Sequence, residues 1–286
     1  MFHFAPFVKD AFVDSIKLVP VLIVMFFLIE LSENYFSSKI KNLSNYSKNL
    51  GPLIGSLLAA VPQCGFSVIA AALYVKNYIT KGTLIAVFIS TSDEAIPVLL
   101  ANPDKAKVVV PVVLIKIFIG VLAGYIVDFI FKSELVEKKE PLEVEEGCCR
   151  HDIPSKTVKE LVLHPLKHTL NIFLFIFVVT LVLNYFLIGL GGADNLGKYL
   201  LNNSIFQPVA AAVIGLIPNC AISVLITLLY INNAISFGST IAGLSSGAGL
   251  GLLVLLRKNK SLKDSIFLIG LLFVISCIAG CLIQLY

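Results

Sequence analysis

Two short segments of this sequence place a proline, an amide side chain and a thiol in the same order. They read AVPQCGFS over residues 60–67 and LIPNCAIS over residues 216–223, each inside a long apolar run. Proline removes a helical hydrogen-bond donor, and interrupted backbone at membrane depth must be buried in protein or line a wet cavity. A single segment would be explained by a kink that neighbouring side chains satisfy, but two equivalent segments favour a substrate site. Its candidate binding residues are Gln63, Cys64, Asn219 and Cys220.

A third segment, FISTSDEAIPVLL over residues 88–100, carries two adjacent carboxylates, Asp93 and Glu94, near the middle of an apolar run. A charge at that depth costs about 2.5–3.5 kcal/mol on insertion scales, and charges found there mark ion pathways or proton relays. Pro97 would free carbonyl oxygens beside them. The alternative is a carboxyl that faces a loop end or is protonated. We predict that at least one of the two carboxylates binds a metal ion, together with Cys64 and Cys220.

Lys116, in VVLIKIFIG, is a further charge inside an apolar run. An unpaired ammonium is unfavourable there, so we expect Lys116 to meet Asp93 or Glu94 or to face water. One interpretation is a counter-ion that a cation or proton displaces, and the other is a static salt bridge or a snorkelling side chain. The predicted substrate-binding set also includes Lys116, Ser90 and Ser246.

A charged segment in the middle of the chain contains GCCRHDI over residues 147–153. Cys148, Cys149 and His151 are soft and borderline metal ligands close together, as in a loop that captures metal. Adjacent cysteines cannot supply a whole tetrahedral site, so a segment without metal is the alternative. Both interpretations stay open.

Composition identifies the elements that must position these residues. The chain has 286 residues and a mean hydropathy of +0.92, with 57% hydrophobic and 14% charged residues, whereas soluble domains carry about 25% charged residues. It is therefore predicted to be a polytopic membrane protein, and disorder is excluded. The net charge of +4 gives no argument for nucleic acid. GLSSG over residues 243–247 lacks the later histidine of a hydrolase, and no phosphate-binding loop occurs, so we predict no enzyme and no cofactor.

Apolar runs long enough to cross a bilayer divide the chain into two groups. A charged segment at 132–168 separates them, which predicts a first repeat at 1–131, a linker at 132–168 and a second repeat at 169–286. The runs lie near residues 15–31, 51–75, 81–101, 107–131, 169–190, 206–230, 237–256 and 264–285.

The two halves are related in sequence. A shift of 156 residues aligns them without a gap from Gly51 to Gly82, and Leu272 then falls on Lys116. Matches among Pro, Cys and polar residues are unlikely to arise by chance in membrane proteins, so the repeat indicates a duplicated bundle of the kind that secondary transporters use. The matched pairs are Pro52 and Pro208, Pro62 and Pro218, Cys64 and Cys220, Ser67 and Ser223, Tyr74 and Tyr230, Asn77 and Asn233, Gly82 and Gly238, and Ser90 and Ser246.

The positions of Lys and Arg predict the orientation. Basic residues follow the first two runs and cluster at 257–263, whereas the equivalents of the first two loops, 191–205 and 231–236, carry one Lys and none. If 51–75 and 206–230 each enter and leave on one side, the basic loops and the linker lie together in the cytoplasm. The predicted fold is an all-α polytopic membrane helix bundle of two inverted-topology repeats with Pro-broken helical hairpins. The alternative is eight plain spans in two parallel halves.

With the repeat, PQCGFS, PNCAIS, TSDEA and the Cys/His-bearing linker, the chain resembles the family of ten-transmembrane heavy-metal exporters, also described as manganese transporters or arsenic-efflux-related permeases. The resemblance covers nearly the whole chain and implies efflux of a metal or metalloid across the bacterial inner membrane. It assigns no role to any individual residue.

The resulting hypothesis is a secondary transporter that exports a metal or metalloid ion, with a Mn²⁺-like divalent cation favoured and proton-coupled alternating access. Its partners are the transported ion and the lipid bilayer, without nucleic acid and with a homodimer as an open alternative. Two other functions stay open: a permease for an organic or organoarsenical molecule, and a metal-sensing membrane subunit that transports nothing.

Overall fold

The computed structural model describes residues 50–62, 65–91, 95–131, 174, 178, 204, 206–218 and 221–285. Within these ranges the regular structure is helical and no strand occurs, so the predicted all-α class is confirmed. The predicted helices near 15–31 and 169–190, and the linker at 132–168, lie outside the described residues except for single helical positions at Leu174 and Val178.

The helices of the first half begin after Leu50 and are numbered here in chain order. They are α1 (Gly51–Ala59), α2 (Gly65–Val75), α3 (Lys81–Ser90), α4 (Ala95–Ala101) and, after one turn of 3-10 helix at Ala106–Val108, α5 (Val109–Ile130). The second half contributes α6 (Phe206–Gly215), α7 (Ala221–Ile231), α8 (Phe237–Ser246), α9 (Leu250–Lys258) and α10 (Leu262–Leu285).

Four helical stretches in the described part of the chain are long and apolar enough to cross a membrane. They are Lys81–Ala101, Ala106–Ile130, Phe237–Lys258 and Leu262–Leu285. The first and third contain the α3–α4 and α8–α9 junctions, whereas the second and fourth contain the long helices α5 and α10. The predicted multi-pass membrane protein is confirmed at this level.

Local geometry recurs at the 156-residue spacing of the sequence repeat. Asn77 and Asn233 both adopt positive φ angles, 59° and 55°. Asn tolerates this left-handed conformation better than most residues, which suits it to the turn before the next helix. Thr80 and Ser236 then cap α3 and α8, each accepting a hydrogen bond from the backbone N–H three residues later. Equivalent polar residues therefore end one helix and begin the next in both halves.

Both halves contribute to each of two hydrophobic clusters. The first joins Leu84, Phe88 and neighbouring residues of the first half to Leu252, Leu255 and Leu268 of the second. The second joins Ile96, Leu99 and Val112 of the first half to residues of α7 and α8. Seven residues of the second cluster lie 156 positions from members of the first: Ile96, Leu99, Val112, Ile226, Ile235, Ile241 and Leu244. Helices α4 and α9 thus pack on the opposite half, so neither half completes its own core.

Glycines let the crossing helices approach at backbone distance. A Cβ atom on Gly280 of α10 would lie 2.7 Å from the Gly238 carbonyl oxygen and 2.5 Å from the Ala242 Cβ. A Cβ on Gly124 of α5 would lie 2.8 Å from the Gly82 carbonyl oxygen, which is the equivalent contact in the first half. Small residues therefore allow α3 to pack closely on α5 and α8 on α10, as is usual for membrane helices.

Replacing Gly280 by Val is expected to destabilise the protein by about 3 kcal/mol, because the added atoms meet backbone that cannot rotate away. The control is Gly270→Val on the same helix, since a Cβ at Gly270 meets nothing within 4 Å. Thermal unfolding of the purified variants would compare the two. Equal midpoints for Gly280→Val and Gly270→Val would contradict the close contact.

Candidate functional site

The two broken membrane-spanning helices are interrupted at similar depth. Helix α3 ends at Ser90, and Thr91 leaves it with φ −59° and ψ 129°. Helix α8 ends at Ser246, and α9 starts after Gly249, whose φ of 51° and ψ of −133° suit only glycine. At 1.5 Å per residue, each interruption lies about 15 Å from the start of its span, close to the middle of a bilayer core about 30 Å thick.

Lys116 of α5 connects the two interruptions. Its side chain is fully buried, and its Nζ donates hydrogen bonds to the Thr91 carbonyl oxygen and, at 2.8 Å, to the Leu244 carbonyl oxygen. In a continuous helix the Leu244 carbonyl would accept from the N–H of Ala248, but that N–H donates to the Ser246 carbonyl at 3.1 Å. The break in the second half thus frees a carbonyl that a lysine of the first half binds.

This junction is electrostatically suited to a cation. The last carbonyls of a helix carry a partial negative charge equivalent to about half an electron, and the ends of α3 and α8 both face the Lys116 ammonium. Buried backbone oxygens without a partner would be costly in a membrane interior, and the ammonium satisfies two of them. We name these residues, Lys116 with the Thr91 and Leu244 carbonyls, the helix-end junction.

The two predicted serines lie on either side of the helix-end junction. The Ser90 hydroxyl donates to the Lys116 carbonyl oxygen at 3.4 Å, so it contacts α5. The Ser246 hydroxyl donates to the Ala212 carbonyl at 2.8 Å and to the Gly243 carbonyl at 3.0 Å, so it contacts α6 and its own helix. The structure therefore brings Ser90 and Lys116 together, while the Ser246 hydroxyl bonds to backbone next to Leu244.

Sequence reasoning missed three contributors to this region. Thr91 and Leu244 act through backbone carbonyls, which every residue has, so their side chains give no signal. Ser245 is buried, and its hydroxyl has no hydrogen-bond partner in the described part of the chain. Ile89 is its equivalent in the repeat, so a search for matched polar pairs passes over it. The adjacent pair Ser245 and Ser246, at the end of α8, is the sequence feature that could have identified Ser245.

Contacts between the halves also occur at the two outer ends of the spans. At one end Lys81 pairs with Asp264 at 2.9 Å, and Asp264 accepts a hydrogen bond from the Tyr74 hydroxyl at 2.7 Å. At the other end Lys105 donates to the Asn233 side chain at 2.9 Å and lies 4.9 Å from the centre of the Tyr230 ring. Tyr74 and Tyr230 are equivalent in the repeat, yet they lie at opposite ends of the span Lys81–Ala101.

The other predicted binding residues lie outside the described residues. Among the residues that the structure does describe, no group of three or more His, Cys, Asp or Glu is placed to hold a metal ion. The predicted residues concerned are Gln63, Cys64, Asp93, Glu94, Cys148, Cys149, His151, Asn219 and Cys220.

A family model matches this chain over two segments. The family model described as "Putative, 10TM heavy-metal exporter" matches residues 3–179 and 170–286. No curated protein sequence and no solved structure matches the chain.

Proposed function

Because the chain belongs to this family of ten-transmembrane heavy-metal exporters, we propose that it exports a Mn²⁺-like divalent cation by proton-coupled alternating access. The observation that carries the proposal is the helix-end junction, where interrupted helices of both halves meet around a buried cation at mid-depth. Discontinuous helices that face each other at the midplane are the usual substrate and ion sites of secondary transporters.

We further propose that the halves are inverted with respect to each other. The ion pair of Lys81 and Asp264 joins the loop near 76–81 to the loop near 257–263. The hydrogen bond from Lys105 to Asn233 joins the loop after α4 to the loop after α7. In parallel halves the loops of Asn77 and Asn233 would lie on one side. The contacts instead favour opposite sides, with the basic loops together on the cytoplasmic side of an inner membrane.

The same contacts favour helical hairpins over spans for 51–75 and 206–230. A Cβ added to Gly51, at the start of α1, would meet the Thr83 side chain, and Tyr74 near the end of α2 binds Asp264 beside Lys81. The chain therefore enters and leaves this segment next to the start of α3. In the second half, Gln207 of α6 accepts from the Ser236 N–H, and Tyr230 of α7 lies against Phe237. We propose that the predicted PQC and PNC segments form the inner tips of these hairpins.

The choice of cargo follows from donor chemistry. Carboxylate and amide oxygens of Asp93, Glu94, Gln63 and Asn219 suit Mn²⁺, whereas the thiols of Cys64 and Cys220 suit softer ions such as Zn²⁺ or trivalent arsenic. In the second candidate function the thiols are decisive and an organoarsenical molecule is the cargo. Metal-tolerance profiles of Cys64→Ser and Cys220→Ser separate the Mn²⁺ exporter from the organoarsenical permease. Cys277→Ser is the control, because Cys277 lies in α10 and is not one of the predicted binding residues.

The decisive test is flux in liposomes that contain the purified protein. We expect accumulation of Mn²⁺ that exceeds that of Zn²⁺ and arsenite and that changes when an imposed proton gradient is reversed. Protein-free liposomes are the control. Absence of flux for every ion at two pH values would contradict the exporter. Absence of flux would instead favour a metal-sensing membrane subunit that transports nothing, in which the linker residues Cys148, Cys149 and His151 bind metal.

A further inference from the structure

The Lys116 ammonium lies where a transporter with discontinuous helices would bind an alkali-metal ion. We propose that the helix-end junction is a monovalent-cation site and that the lysine side chain replaces the ion in it. The proposal deepens the proposed transport function. It rests on that function only where it assigns the site a role in ion-coupled transport. The site itself is argued from the contacts of Lys116.

The described ligands of the ammonium are of the kind that binds a monovalent ion. The Thr91 and Leu244 carbonyl oxygens are neutral and hard, and rings of backbone carbonyls are the usual replacement for the hydration shell of an alkali-metal ion in membranes. The converging ends of α3 and α8 add negative potential without adding a formal charge. An ammonium and an alkali-metal ion each supply one positive charge to these carbonyls.

The ammonium is held on a rigid element rather than on a loop. Lys116 belongs to the long helix α5, about 15 Å from the start of the span at Ala106, and its side chain has no exposed surface. It binds Leu244 across 128 positions of sequence, so its charge joins the two halves. An ion at this place would dissociate, whereas a tethered ammonium stays. We therefore infer that the exporter needs no external alkali-metal ion.

The repeat provides a matched control. Leu272 of α10 is equivalent to Lys116 and is equally buried, but it packs in the hydrophobic cluster that contains Phe88. Truncating either side chain removes buried contacts, and only the truncation at Lys116 uncovers the two carbonyls. The effect of a cation can thus be separated from the effect of lost packing.

The experiment is thermal unfolding of the purified full-length protein in Li⁺, Na⁺ or K⁺, with N-methyl-D-glucamine as the large reference cation. For Lys116→Ala we expect a lower midpoint in the reference cation and a saturable rise of about 5 °C or more in at least one alkali-metal ion. The wild-type protein and Leu272→Ala should have midpoints that do not depend on the cation. Lys116→Met, which fills the space without a charge, should be destabilised and should not respond.

The proposal fails if no alkali-metal ion stabilises Lys116→Ala, or if Leu272→Ala responds equally. It also fails if Leu272→Ala folds while Lys116→Ala folds in none of the cations, because the ion would then not replace the ammonium. These measurements need no cargo. If alkali-metal ions stabilise Lys116→Ala but wild-type liposomes show no metal flux, the exporter function is refuted and the monovalent-cation site stands. If the liposomes show metal flux but no alkali-metal ion stabilises Lys116→Ala, only the monovalent-cation site is refuted.

Discussion

A chain that carries both Asp93→Asn and Glu94→Gln is expected to move metal no faster than protein-free liposomes. The two carboxylates lie near the middle of the span Lys81–Ala101, at the second and third positions after Thr91, whose carbonyl binds Lys116. Amides keep the size of the side chains and one accepting oxygen but remove the negative charge and the proton-binding site. A divalent cation loses its anionic ligands, and exchange of a proton for the cation is no longer available.

Flux of Mn²⁺ at two pH values, in both directions of the proton gradient, measures this effect. Asp104→Asn serves as the control, because Asp104 is an exposed carboxylate in the loop after α4. The single variants Asp93→Asn and Glu94→Gln then identify which of the two carboxylates carries the exchange. Wild-type, pH-dependent flux in the double variant would show that the carboxylates are structural and that the proposed coupling is wrong.

The second large effect concerns the two halves of the chain. Expressed separately, with the break placed within 132–168, neither half is expected to give monodisperse protein, because each hydrophobic cluster needs residues of both. The first half alone would also expose the Lys116 ammonium without the Leu244 carbonyl. Expressed together, the halves should copurify through a tag on one of them, since the contacts that join them lie outside the linker.

Size-exclusion chromatography of the detergent-solubilised halves checks this expectation, and the intact chain is the reference. A first half that runs alone as a stable, symmetrical peak would contradict the shared cores. A peak at twice its mass would mean that two first halves replace the missing partner, and the requirement for both halves would then be wrong.

Several features of the fold follow from the sequence because they depend on local chemistry. A mean hydropathy of +0.92 determines that the surroundings are lipid, and lipid permits only helices where apolar runs of this length cross it. The 156-residue repeat predicts equivalent caps, and Thr80 and Ser236 do cap equivalent helices. Lys116 could be recognised as exceptional because a charge is costly in any apolar span, whatever surrounds it.

The partners of that charge were decided by tertiary structure. The pairing of Lys116 with Asp93 or Glu94 stays a prediction, while the described contacts are with two backbone carbonyls. Every residue carries a carbonyl, and a helix break frees one only where the packing of both halves brings a donor to it. For the same reason the sequence predicts two halves but not that α4 and α9 pack on the opposite half. Composition and repeats thus determined the surroundings and the parts of this protein, and long-range packing alone determined which cation the helix ends hold.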